Sequence, residues 1–201
     1  MTSLFDAIAQ RRMVRSYRAE PVAEATIDRI VAAAHSAPSA GNTRSLELLV
    51  LTGEDVVRYW ETTLAPDKRD AFPWPGLLRA PLLLVPYVDP ARYAARYSEP
   101  DKARTGLGVG PHAWPVPYWW VDGGAAVENI LLAAVACGLG ACLFGQFDHE
   151  PSVRSAFGVP DHFRAVGTVA VGHPDTENDR PSRSSQRARR APEKTTHRGR
   201  W

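Results

Sequence analysis

Apolar residues fall at helical spacing between Glu24 and Ala34, where Ile27, Ile30, Val31 and Ala34 form one stripe, and this predicts a helix over 23–34. Pro38 stops it, because proline cannot continue a helix and biases the residue before it toward extended geometry. The aliphatic run 46–51 then predicts a strand covered on both faces. Upstream, 3–12 reads as a helix with Leu4, Ile8 and Phe5 inward and Ser3 as its cap. Downstream come a short helix at 54–64, with Val57, Trp60 and Leu64 on one side, and a buried strand at 81–88. Pro86 inside that strand implies an edge position or a bulge. The strongest helix is 122–137, with Ala126, Ile130, Ala133, Ala134 and Cys137 on one face, Val127, Leu131 and Val135 beside it, and Gly138 ending it. A strand at 141–144, a turn at Gly145, a helix at 151–157 closed by Gly158 and a last strand at 166–171 complete the order. Helices and short strands intermixed in this way give an α+β layout in which helices pack on one sheet, within a single domain over 1–201.

Two stretches lie outside the pattern. Between helix and strand sit Ser39, Ala40, Gly41, Asn42 and Thr43. They are ordinary turn residues, and they also suit a ligand that approaches the backbone closely. Residues 98–118 form a long Gly- and Pro-rich loop ending in aromatics, which is either a packed surface loop or a cover over a pocket mouth. Its GLGVG run is not a dinucleotide fingerprint, because no strand precedes it in a βαβ unit.

Charge adds a third feature. Residues 180–201 hold seven Arg and one Lys against one Glu, a net +7, which leaves −5 on 1–179 within a total of +2. Such a basic arm, 176–201, has three readings: a nucleic-acid arm, a disordered end, or an arm folded over an acidic surface or an anionic ligand. The terminal Trp201 points to packing, which tryptophan prefers. No uncharged apolar run reaches bilayer length, and the N-terminus lacks a basic start followed by an apolar stretch and a cleavage site. Cys137 and Cys142 fit no zinc or CxxC spacing and read as reduced residues of a cytoplasmic protein, and no metal is expected.

The Arg11-Arg12-Met13-Val14-Arg15 run, the Pro38-Ser39-Ala40-Gly41-Asn42 loop before a strand, and the block DGGAAVENILLAAVACGLGACLFG followed by SVRSAFGVP and VGTVAVGHP converge. In this order they resemble the FMN-dependent nitroreductase family over nearly the whole chain, 98–118 excepted. The resemblance implies a mainly antiparallel central sheet flanked by helices, in a homodimer with exchanged C-terminal arms. It implies FMN as cofactor and NAD(P)H as co-substrate, with ping-pong hydride transfer through flavin N5 to a nitroaromatic, a quinone or a similar small acceptor. The alternative is a flavin dehydrogenase or oxidase acting on a biosynthetic small molecule. No nucleic-acid or membrane partner is expected. No catalytic acid or base is implied, because the flavin carries the chemistry.

The implied cofactor residues are Arg11, Arg12, Met13 and Arg15; Pro38, Ser39, Ala40 and Asn42, usually from the partner subunit; Leu143, Phe144 and Gly145; and Arg190, with Arg187 and Arg189 as near alternates. Forked guanidinium donors suit a phosphate, and small loop residues suit a ring lying against the backbone. The chain departs from the family pattern at Arg44 and Leu46, after the Asn, and at Phe144, where the family often has Glu.

Overall fold

The computed structural model describes residues 2–188 and 190–201. Six α-helices and five strands follow in the order α1 (Leu4–Gln10), α2 (Glu24–His35), β1 (Glu47–Thr52), α3 (Glu54–Thr63), β2 (Leu82–Val88), α4 (Pro90–Tyr97), α5 (Tyr118–Ala136), β3 (Gly140–Phe144), α6 (Glu150–Phe157), β4 (Arg164–Ala165) and β5 (Thr168–Gly172). The strands form one antiparallel sheet in the order β1-β2-β5-β3, with β4 pairing to β2. No helix among the described residues is long and apolar enough to cross a membrane.

Period-two alternation divides the core. Leu82 and Leu84 of β2, with Val169 and Val171 of β5, pack against Ile27, Ile30, Val127, Ile130 and Leu131 of α2 and α5. Leu83, Val85 and Tyr87, with Ala170 and Cys142, pack instead against Val56, Tyr59 and Trp60 of α3 and Val153 of α6. All seven residues of β2 are buried, so it is the central strand and not an edge. Pro86 is accommodated by an interruption: β4 and β5 break at Val166–Gly167, and the Pro86 carbonyl accepts from the Val166 amide at 2.9 Å. The bulge alternative describes this arrangement.

Several expectations are corrected. The strand at 46–51 is an edge strand with Leu51 alone buried, because among the described residues β1 pairs only with β2. Helix α1 stops at Gln10 and buries Ala7, while Leu4, Phe5 and Ile8 are 62%, 80% and 49% exposed. Ser3 does cap it, in a reciprocal box with Asp6. On α3 the buried residues are Val56, Tyr59 and Trp60, and Val57 faces outward. Helix α5 begins at Tyr118, one turn earlier than expected. Trp201 is 99% exposed and, among the described residues, stacks only on His197.

The two ends of the chain are stitched together. The Val14 amide donates to the Ala141 carbonyl at 3.0 Å, Arg18 to His173 at 2.9 Å, and Asp175 to Ser16 at 2.9 Å. Tyr17 is fully buried, with its hydroxyl 2.7 Å from the Val14 carbonyl and 3.1 Å from that of Ala170, which lies 153 residues away in sequence.

Candidate active site

Strand β3 ends at Phe144 beside α3, and there a cavity of about 380 Å³ opens. Its walls include Arg15, Trp60, Phe72, Trp74, Phe144 and Gln146. Trp60 stacks on Phe144 at 5.6 Å and 16°, and meets Tyr59 edge-on at 5.2 Å. Behind the wall runs a buried polar chain: the Gln146 amide donates to Thr168 Oγ1 at 3.1 Å, and the Tyr59 hydroxyl lies 2.7 Å from the same oxygen. Burial pushes the Tyr59 phenol up to about 12 despite these hydrogen bonds, and likewise raises the Cys142 thiol. Met13 holds the strand end, its sulfur accepting from the Leu143 amide at 3.4 Å. The amides of Gly145 and Gln146 donate to no protein acceptor among the described residues.

The structure thus brings Met13 and Arg15 to Leu143, Phe144 and Gly145. Arg15 lies over the Trp74 ring at 5.1 Å and donates to the Met13 carbonyl at 3.2 Å. Arg12 pairs with Asp179, whose carboxylate is almost fully buried and also accepts from the Arg15 amide at 2.8 Å. Arg11 faces Glu128 at 3.6 Å. Arg190 and Arg187 are exposed, and no hydrogen bond among the described residues joins either to these arginines. Arg189 lies outside the described residues.

The loop at 38–42 belongs to a different cavity, of about 590 Å³, between α2 and α5. Pro38, Ser39, Asn42 and Arg44 line it, and it shares no lining residue with the first. Gly41, Asn42 and Arg44 all take left-handed φ, at 62°, 55° and 51°. Asp122 of α5 fixes the loop: its Oδ2 accepts from the Ala40 amide at 2.8 Å and from the Tyr93 hydroxyl at 2.7 Å. Burial and this carboxylate together raise the Tyr93 phenol. Arg96 donates to the Gly41 carbonyl at 2.8 Å while holding Asp101 with both terminal nitrogens at 2.7 Å. Arg44 is folded back, its Nε donating to Asn42 Oδ1 at 2.9 Å. Loop 98–118 packs nearby: Trp114 and Trp119 are buried against Tyr93, and Trp114 Nε1 donates to the Leu107 carbonyl at 3.1 Å.

Sequence reasoning missed Tyr59, Trp74, Gln146 and Asp122. By its spacing Trp60 reads on one helix face with Val57 and Leu64 while Tyr59 is passed over, and Asp122 is only the start of a helix. The FPWP stretch at 72–75 was the one available signal, since two prolines around a tryptophan mark a rigid turn with an aromatic to place.

The donor set suits the flavin anticipated from the sequence. Strand-end amides with no acceptor among the described residues can meet ring acceptors, a guanidinium beside them can meet negative charge, and the aromatic walls can exclude water.

Comparison with known proteins agrees with the resemblance. The family model described as the Nitroreductase family matches residues 8–173. A 4-nitrobenzoate reductase of a Nocardioides species is 30% identical over 91% of this chain and 85% of its own length. An FMN reductase [NAD(P)H] of Bacillus subtilis is 26% identical over 94% of this chain and 72% of its own. The solved structure of an FMN-dependent nitroreductase from Clostridium difficile superposes with a TM-score of 0.66 at 22% identity, covering 97% of this chain and 98% of that one, and it matches the fold. With the antiparallel sheet and the matched span of 8–173, the chain belongs to the nitroreductase family.

Proposed function

We propose that this chain is an FMN-dependent oxidoreductase that draws electrons from NAD(P)H and reduces small aromatic acceptors, nitroaromatics or quinones, in a ping-pong sequence. The observation that carries the reading is the end of β3, where two amides with no acceptor among the described residues adjoin an aromatic cavity and the Arg15 guanidinium. The names of the Nocardioides and Bacillus relatives agree with it. When bound, FMN supplies the redox chemistry, taking two electrons from a nicotinamide and passing them to the acceptor.

The chain's own residues position and enclose. The Gly145 and Gln146 amides would hold acceptor atoms at the ring edge, following Leu143 and Phe144 in the strand. Arg15 would offer positive charge beside the ring and favour negative charge there. Met13 keeps the strand end in place, and Trp60, Phe72, Trp74 and Phe144 keep water out. Arg11, Arg12 and Arg190 are assigned to the phosphate, with Arg12 sharing its guanidinium with Asp179.

Pro38, Ser39, Ala40 and Asn42 come from a second copy of the chain. Their cavity is separate from the first within one chain, so the complete site needs a homodimer. The exposed Leu4, Phe5 and Ile8 of α1 supply apolar surface for such a contact, and the basic arm after Pro174 reaches over the partner.

The test is the visible spectrum of freshly purified protein, with the released cofactor identified by mass and NAD(P)H oxidation followed with a nitroaromatic acceptor. Close to one FMN per chain and rapid NAD(P)H oxidation are expected. A colourless protein that also fails to take up added FMN sinks the reading. A flavin-loaded protein inert to both nicotinamides transfers it to the dehydrogenase or oxidase alternative.

A further inference from the structure

A second, smaller hollow of about 190 Å³ adjoins the aromatic cavity, and the two share Arg15 and Trp74 in their walls. Three arginines line it: Arg15, Arg79 and Arg180, with Ser16 and Asn178 between them. Gly76 forms its floor, where any side chain would run into the Ser16 backbone, 2.7 Å from an added Cβ.

The charges do not cancel. Arg79 donates to Asp175 at 2.8 Å and to Ser16 Oγ at 3.1 Å. Asp179, the other carboxylate nearby, is taken by Arg12 and by the Arg15 amide. Among the described residues, the guanidinium of Arg15 has only a backbone carbonyl as acceptor, and Arg180 forms no ion pair. Arg12, Arg15, Arg79 and Arg180 thus face two carboxylates, Asp175 and Asp179, both engaged, which leaves an electropositive notch opening off an aromatic room.

We propose that this notch is a specificity site for a carboxylate on the aromatic acceptor. The acceptor's ring enters beside the flavin's place at the Trp74 side of the aromatic room, and its carboxylate reaches the notch toward Arg15, Arg79 and Arg180. Guanidinium forks match a carboxylate in shape and charge, so anionic aromatics are selected over neutral isosteres. This rests on reading the adjoining cavity as the redox site, but the binding preference can be measured without turnover.

Benzoate and benzamide, which share shape and differ in charge, are titrated into the full-length protein as purified and followed by calorimetry. The wild type is expected to bind benzoate at least about tenfold more tightly, a preference that shrinks as salt is raised. Arg180→Gln is expected to reduce the preference to less than about threefold, and Arg180→Lys to retain most of it. Arg79→Gln repeats the test from the opposite wall, with its melting temperature checked because it also loses the bond to the Tyr17 carbonyl at 2.9 Å.

Equal affinity for the two ligands in the wild type, or an intact preference in Arg180→Gln and Arg79→Gln, overturns the proposal. So does loss of bound FMN from Arg180→Gln with the benzoate preference intact, since the notch would then be holding the cofactor's phosphate. A colourless protein that still prefers benzoate overturns the flavin reading, and with it the acceptor's role, and leaves the notch as a carboxylate-binding site. A flavin-loaded protein without the preference does the reverse.

Discussion

The two cavities of the candidate site are built on opposite principles. The one at the end of β3 is walled by large aromatics packed against a buried polar chain, with a single cation at its edge. The one between α2 and α5 is walled by small residues and shaped by backbone: three left-handed residues tied down by Asp122 and Arg96. The first depends on side-chain volume, the second on hydrogen-bonded loop geometry. A flat ring laid against a small-residue loop and covered by an aromatic wall would use both, which is why the proposed site takes one from each subunit.

The contrast can be broken most forcefully at Trp60. Trp60→Ala should cost about 3–5 kcal/mol, because it empties a buried stack. Urea unfolding measures this, and hydrogen exchange at Ala40 should stay protected if the loop half is independent. Trp60→Phe should cost far less, since it keeps an aromatic ring in the stack and the buried indole N–H it removes has no partner among the described residues.

Alkaline pH gives the next largest effect. The Tyr59 and Tyr87 phenols are raised by burial to about 12, so the folded chain keeps protons that the unfolded chain releases above its ordinary value near 10. Stability is therefore full below about pH 10 and falls as pH climbs toward 12, by about 2–3 kcal/mol at pH 11 for the two phenols together. Denaturant midpoints on either side of that range measure the loss. Tyr59→Phe should remove about half of it, and a midpoint shift unaltered by that change would place the sensitivity elsewhere, in Tyr93 of the loop half for instance.

In the loop half, Asp122→Ala strands the Ala40 amide and the Tyr93 hydroxyl without their acceptor, for a loss of about 2 kcal/mol. Faster exchange at Ala40, with Trp60 fluorescence unchanged, is the signature expected. The smallest effect is Gly41→Ala, at about 1–2 kcal/mol, from its φ of 62° and a Tyr97 ring carbon only 2.7 Å from an added Cβ. If Gly41→Ala were neutral, the loop would not be as firmly shaped by its backbone as its hydrogen bonds imply.

Elements with a strong local pattern were legible in the sequence. Helix α2 was expected at 23–34 and runs Glu24–His35, and Gly158 closes α6 in a left-handed conformation at φ 66°. Helix α4 was overlooked although Asp89 and Pro90 mark its start, the aspartate capping the Ala91 amide at 2.8 Å. What local pattern cannot encode is which neighbour an element receives. The aliphatic run of β1 resembles an interior strand, yet its outer side has no pairing strand among the described residues. Leu4, Phe5 and Ile8 have the right spacing for a core face, and α1 turns them outward. In the candidate site, Arg15 and the 143–145 segment were legible separately, Arg15 with the other N-terminal arginines and 143–145 at a strand end, and that they line one cavity was not. The tie from Arg12 to Asp179, 167 residues away, carries no local signal at all.

The stitched ends have a consequence in time. Synthesis runs from the N-terminus, so Tyr17 is made early while its final shelter, the Ala170 carbonyl and the turn after β5, comes 153 residues later. At about 5–20 residues per second, the first segment waits roughly 8–30 s before its partner strand exists. The arginine-rich stretch around it is well suited to that interval, because it keeps the waiting segment soluble until the ribosome has delivered the residues that close the sheet over it.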